Sequence, residues 1–207
     1  MELNKLLNNI FNVLLPICYV WITPYLAKIG FCNNTKGSFG NSLSNYINTP
    51  QATGGMAVSY YSISNIMISK RFYKVGIPDN GIFYMSGIFY EICFGIFLCC
   101  PVDYSSIIHC VSVSGFIAGA YIHIIYLEYS PYFKQKWSLS LKILKFIGNL
   151  SIIGLLITFT LVNFIQIPNN LFWIFECTGL STLILIMNIA HDICAESPIE
   201  TFNGILV

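Results

Sequence analysis

Six times along this chain an apolar run lasts for about twenty residues, enough to cross roughly 30 Å of hydrocarbon as a helix. The runs cover approximately 10–29, 52–70, 81–101, 107–127, 143–165 and 171–193. No other feature constrains the fold as strongly. Inside a bilayer every backbone N–H and C=O must be satisfied within the protein, and runs of this length do so as helices. Composition agrees. Only 9 % of the 207 residues are charged, against about 25 % in a soluble domain, and mean hydropathy is +0.69. The expected architecture is an all-α polytopic membrane protein, a single transmembrane domain over residues 1–207 built as a six-transmembrane-helix bundle. Its second run, with "SYYSISNIMIS", is the most polar and suits a packed interior better than lipid. The first run is too long for the apolar core of a signal peptide and no small-residue cleavage site follows it, so it reads as a span.

Loop charge sets the orientation, because Lys and Arg accumulate in cytoplasmic loops. Lys70, Arg71 and Lys74 follow the second run, and Lys134, Lys136 and Lys142 lie between the fourth and fifth. With six spans both basic loops fall on one side, which places them and both termini in the cytoplasm. The acidic tail, Glu196 and Glu200, does not oppose this, since acids contribute little to the bias. The long loop at 30–51 is then lumenal, with a polar, Gly-rich composition that fits an ordered cap or a mobile loop. It carries one sequon, Asn33-Asn34-Thr35, whereas the sequon at Asn149 lies inside the fifth run.

Several function classes drop out. A net charge of +1 offers no basic field for nucleic acid. The eight cysteines form no CxxC and no Cys/His zinc pattern, so the sequence calls for no resident metal and no cofactor. A disulfide from Cys32 to Cys99, Cys100 or Cys110 stays open. The other cysteines sit in or beside apolar runs, where a free thiol behaves as a small hydrophobe.

What stands out is the ionisable residues inside the runs. Each costs at least about 2.5–3.5 kcal/mol to insert, which makes it a functional candidate by default. They are Glu91, His109, His123, Glu176, His191 and Asp192. Direction of threading puts Glu91 at mid-depth, His109 at the lumenal start of the fourth span and His123 near its cytoplasmic end. Glu176 falls in the lumenal third, and His191 with Asp192 at the cytoplasmic edge. His109 and His123 share a face within about 40° but stand about 21 Å apart along the axis, so they cannot share a metal ion. Two clusters result. The lumenal one joins His109, Asp103 and Glu176, with Ser44 and Asn45 of the long loop beside them. The cytoplasmic one joins Arg71, His123, His191 and Asp192. The plainer reading of both is helix–helix hydrogen bonding that fixes the bundle.

Three stretches resemble the DRAM/Sfk/Frag family of six-span membrane proteins. "SLSNYINTPQ", followed by a span and the basic "SKRFYK", is similar to the family's Ser-x-Ser segment, Pro-containing turn and Arg. The stretch from Glu91 through Asp103, His109 and His123 looks like the third-to-fourth span unit of the branch that acts in lipid remodelling of GPI anchors. "FWIFECTGLSTLILIMNIAHD" resembles the last span, although Cys177 stands where the family carries an aromatic. The resemblance implies a lipid-related role in the Golgi or endoplasmic reticulum. Other branches would place it in lysosomal or endosomal membranes, or among regulators of lipid asymmetry.

Three readings follow. In the first, the protein handles membrane lipids in the secretory pathway and serves GPI-anchored proteins. His109 then acts as general base or acid, oriented by Asp103 or Glu176, in a cleft lined by Glu91, His123, Ser44 and Asn45. In the second, it is a non-enzymatic regulator or scaffold that binds lipid or a partner enzyme. In the third, it is an intramembrane metal hydrolase with His123, His191 and Asp192 as ligands.

Overall fold

The computed structural model describes residues 6–7, 9–35, 41–67, 72, 81–161, 164–165, 168 and 170–196. Among these residues every regular element is a helix. The first, α1 (Ile10–Lys28), opens with a wider π-helical turn over Ile10–Leu14 ahead of Pro16, whose missing N–H interrupts the usual ladder. The others are α2 (Leu43–Tyr46), α3 (Pro50–Met67), α4 (Gly81–Cys99), α5 (Ser106–Tyr129), α6 (Pro131–Lys134), α7 (Leu139–Leu161) and α8 (Leu171–Glu196). Helix starts follow from local chemistry. Hydroxyls of Ser42, Thr49, Ser105, Ser130 and Ser138 accept from backbone N–H groups at the starts of α2, α3, α5, α6 and α7.

Five of the helices are long and apolar enough to cross a membrane: Ile10–Lys28, Gly81–Cys99, Ser106–Tyr129, Leu139–Leu161 and Leu171–Cys194. The chain is an integral membrane protein. The run at 52–70 forms α3 as far as Met67, with residues 68–70 outside the described set. This helix does not reach the hydropathy of the other five. Part of its polarity is internal, since Ser59 and Ser64 are buried. The basic loop that contains Lys70, Arg71 and Lys74 also lies outside the described residues.

The hub is α8, which packs against α1, α2, α3, α5 and α7. Small residues set the closest approaches, as expected where lipid removes the hydrophobic drive between helices. On α5, Gly115 and Gly119 form a GxxxG pair facing α4. A Cβ at Gly119 would stand 3.0 Å from the Tyr90 nitrogen and 3.1 Å from the Ser86 carbonyl oxygen. Between α7 and α8, Gly148 faces Thr182 and Gly154 faces the ring of Phe175. Most of α7 is otherwise exposed and apolar, with Phe146 and Leu156 both 62 % accessible, the surface a lipid-facing helix needs.

Proline in α1 has a matching remedy. Pro24 lacks the N–H that would bond Val20, and that carbonyl instead accepts from the Thr23 hydroxyl at 2.8 Å and the Cys177 thiol at 3.5 Å. Trp173 Nε1 donates to Thr23 at 3.1 Å, tying α8 to the proline turn. Cys177 therefore shares in satisfying the carbonyl that Pro24 leaves free. All eight cysteines are free thiols, so none of the disulfides left open for Cys32 is formed.

Candidate functional site

The sharpest site lies where α4 ends and α5 begins. Ser105 caps α5 and places His109 one turn in, with its backbone N–H on the Ser105 carbonyl at 3.0 Å. The imidazole is 4 % exposed and packs on Phe97, with ring centroids 4.9 Å apart. Its Nδ1 lies 2.9 Å from the Cys100 carbonyl oxygen. A carbonyl only accepts, so Nδ1 carries the proton and Nε2 presents a lone pair. That Nε2 is buried and has no hydrogen-bond partner among the described residues.

Over this corner lie the described parts of the loop between α1 and α3, residues 29–35 and 41–49, folded as a cap. Its short helix α2 is pinned to the start of α8, where the Glu176 carboxylate accepts from the Leu43 N–H at 2.5 Å. Asn41 donates to Asn170 at 2.7 Å, and Tyr46 packs edge-on against Trp173. Asn170 takes a positive φ of 70°, a conformation that asparagine tolerates better than most residues. Within the cap Thr49 donates to the Phe31 carbonyl at 2.9 Å, and Asn48 ties the cap to the α4–α5 turn by donating to Asp103. Beneath it Cys32 is buried, and that burial pushes its thiol up to about 11.

Cap and corner form a partly open cleft lined by the polar Ser44, Asn48, Thr53 and His109 and by the apolar Ile47, Phe97, Leu98 and Pro101. About 10 Å³ of it admits the centre of a water-sized sphere, roughly one water position.

Of the residues expected to form this site, the structure brings His109 and Ser44 to one cleft. Asp103 stands beside it through Asn48. Neither Asp103 nor Glu176 orients the imidazole. Both hold the cap instead, and the orienting group is the Cys100 carbonyl. Asn45 is used within α2, where its side chain accepts from the Ser42 hydroxyl at 2.5 Å. Glu91 lines no part of the cleft and takes a hydrogen bond from Ser64 of α3, while its buried Oε1 has no partner among the described residues.

His123 lies at the far end of α5 and lines no part of the cleft either. Ser86 donates to the Phe83 carbonyl at 2.8 Å, so its oxygen accepts from His123 Nδ1, 3.1 Å away. The ring is fully buried, with Phe83 at 3.9 Å and Phe72 at 6.2 Å between centroids. Phe72 packs equally on His191. Arg71 lies outside the described residues. Among those described, no three His, Cys, Asp or Glu side chains come together as a metal site, which corrects the expectation of a His123, His191 and Asp192 ligand set.

Reading the sequence misses Ile47, Asn48, Thr53, Phe97, Leu98 and Pro101 of the lining, and the Cys100 carbonyl that orients the imidazole. Asn48 and Thr53 flank the Thr49-Pro50 helix start, a signal that marks them as neighbours of a fixed turn. The carbonyl has no signature in sequence. Comparison of the chain with protein-family models, with curated proteins and with solved structures finds no match.

Proposed function

We propose that the chain is a lipid-handling membrane protein of the secretory pathway whose working site is the capped cleft at His109. One observation carries this reading: a buried imidazole, fixed through Nδ1, holds an Nε2 that has no partner among the described residues, in a cleft lined by both polar and apolar side chains. A lipid presents that combination where its headgroup meets its acyl chains. His109 acts there as general base or acid, a role that suits a group titrating near neutrality in water.

Six spans with cytoplasmic termini remain the topology we favour. At eighteen residues α3 is about 27 Å long, enough for most of the hydrocarbon. The basic residues Lys134 and Lys136 follow α5 at the end opposite the cap, which the positive-inside rule assigns to the cytoplasm. The cap is then lumenal. The resemblance to the GPI-remodelling branch of the DRAM/Sfk/Frag family points to the Golgi or endoplasmic reticulum, with lysosomal or endosomal membranes as the alternative. A second reading draws on Glu176 and Asp103, which serve the cap and leave His109 without a carboxylate partner. It makes the cleft a binding site for a lipid or a partner enzyme, without turnover.

Lipid analysis of cells lacking the protein, including the lipid moiety of their GPI anchors, tests the proposal. We expect an altered acyl composition that the wild-type chain restores and His109→Ala does not. Unchanged lipids, or full rescue by His109→Ala, removes the role assigned to the cleft.

A further inference from the structure

We propose that the base of the cleft holds one water on His109 Nε2, and that this water is the nucleophile in hydrolysis of an acyl ester of a membrane lipid. The proposal rests on the lipid-handling reading and names its reaction.

Three observations carry it. The first is the lone pair itself: Nε2 is buried, and the proton on Nδ1 is committed to Cys100, so Nε2 can only accept. The second is size, because the whole cleft leaves about 10 Å³ for the centres of water-sized spheres, roughly a single water position. The third is the lining. Thr53 donates its own proton to the Ile47 carbonyl at 2.8 Å and keeps its lone pairs for an incoming donor. Ser44 and Asn48 add a hydroxyl and an amide. A water there has the two to four polar partners that buried water needs. Ile47, Phe97, Leu98 and Pro101 are the apolar part of the lining, and with room inside for one water the lipid ester meets that water at the open mouth of the cleft.

In the reaction Nε2 takes one proton from the water as its oxygen bonds to the ester carbonyl carbon. The tetrahedral intermediate then breaks its bond to the alcohol oxygen, and His109 returns the proton to that leaving alkoxide. A carboxylic acid and an alcohol result, the acid ionises, and the imidazole is neutral again. No oxidant, reductant or further reactant is needed. The Ser44 O–H and the Asn48 N–H are the donors that line the cleft for the oxyanion.

The test uses the full-length protein in vesicles of phosphatidylcholine, phosphatidylethanolamine and phosphatidylinositol prepared in ¹⁸O-water. Released fatty acid should carry the label, and release should fall about 100-fold or more in His109→Gln. Mass spectrometry of the protein quenched during turnover decides the route even where His109→Gln does not fold. The water route predicts no acyl group on the protein, whereas an acyl ester on Ser44 makes Ser44 the nucleophile and overturns the water route. Absence of His109-dependent release from all three lipids overturns hydrolysis. A photoactivatable lipid that still labels the cleft then leaves the lipid-handling reading standing, and one that does not removes both.

Discussion

His109 and His123 lie on one face of one helix, and their local chemistry is nearly the same. Each gives its Nδ1 proton to an acceptor associated with α4, each packs on a phenylalanine of α4, and each has an Nε2 without a partner among the described residues. What differs is the surroundings. His109 opens on a cleft with Ser44, Asn48 and Thr53, whereas His123 is fully buried against Phe72 and Phe83. The identity of an intramembrane histidine therefore says less than what lies beyond its free nitrogen. Room and polar company make one a reagent, and aromatic enclosure makes the other a packing element.

The largest effect should separate the pair. His109→Gln is expected to lower lipid-dependent activity per molecule by about 10²–10⁴, the usual worth of a general acid–base group, at nearly normal expression. His123→Ala should leave activity per folded molecule unchanged while costing on the order of 3 kcal/mol of stability, since it empties a sealed aromatic site. Expression and thermal unfolding measured beside activity distinguish them, and the reverse pattern would break the comparison.

Next comes the frame both histidines share. Gly119→Leu drives a side chain into the Tyr90 and Ser86 backbone, which cannot step aside, and overpacking of this kind costs about 1–3 kcal/mol or more. Both ends should suffer together, with activity and thermal stability falling in parallel. Gly95→Leu, where nothing lies within 4 Å of the new Cβ, should be tolerated in the same assays.

A smaller effect concerns the cap. Glu176→Ala strands the Leu43 N–H, at about 1–3 kcal/mol for an unsatisfied buried donor. Activity should drop several-fold while the His123 end keeps its stability. Glu176→Gln retains an acceptor oxygen and should behave almost as wild type. Equal loss in both variants would argue that the charge of Glu176 has a role the cap does not explain.

The smallest effect reads the cap directly. With its thiol pushed up to about 11, Cys32 is almost wholly protonated near neutral pH, and only the thiolate reacts quickly. Alkylation of Cys32 should therefore be slow at neutral pH, quicken as pH approaches 11, and be faster at every pH in Glu176→Ala. Rapid labelling of the wild-type chain would mean that the cap does not close over the cleft.

Much of this was legible in the sequence, for reasons that also mark where reading stops. The last run, placed at 171–193, is the helix Leu171–Glu196, because apolar length alone defines such an element. The second run is the ambiguous one for a related reason. Its serines at 59 and 64 face the interior, so polarity that packs inward lowers the signal meant for lipid. His109 was found from its depth. Its orienting group was not, since the expected carboxylates are drawn away by contacts remote in sequence. Glu176 reaches Leu43 across 133 residues, Asp103 reaches Asn48 across 55, and a backbone carbonyl takes their place. Docking of the cap decides which side chains remain to meet the imidazole, and no local pattern encodes that docking.

The central claim is that lipid meets the protein at the capped cleft, and mapping the adducts of a photoactivatable, clickable lipid in native membranes tests it most directly. The account predicts adducts on the cleft walls, at Ser44, Thr53, Leu98 and Pro101, that a competing lipid displaces. Adducts confined to the outward face of α7 at Phe146 and Leu156, with none at the cleft, would contradict it.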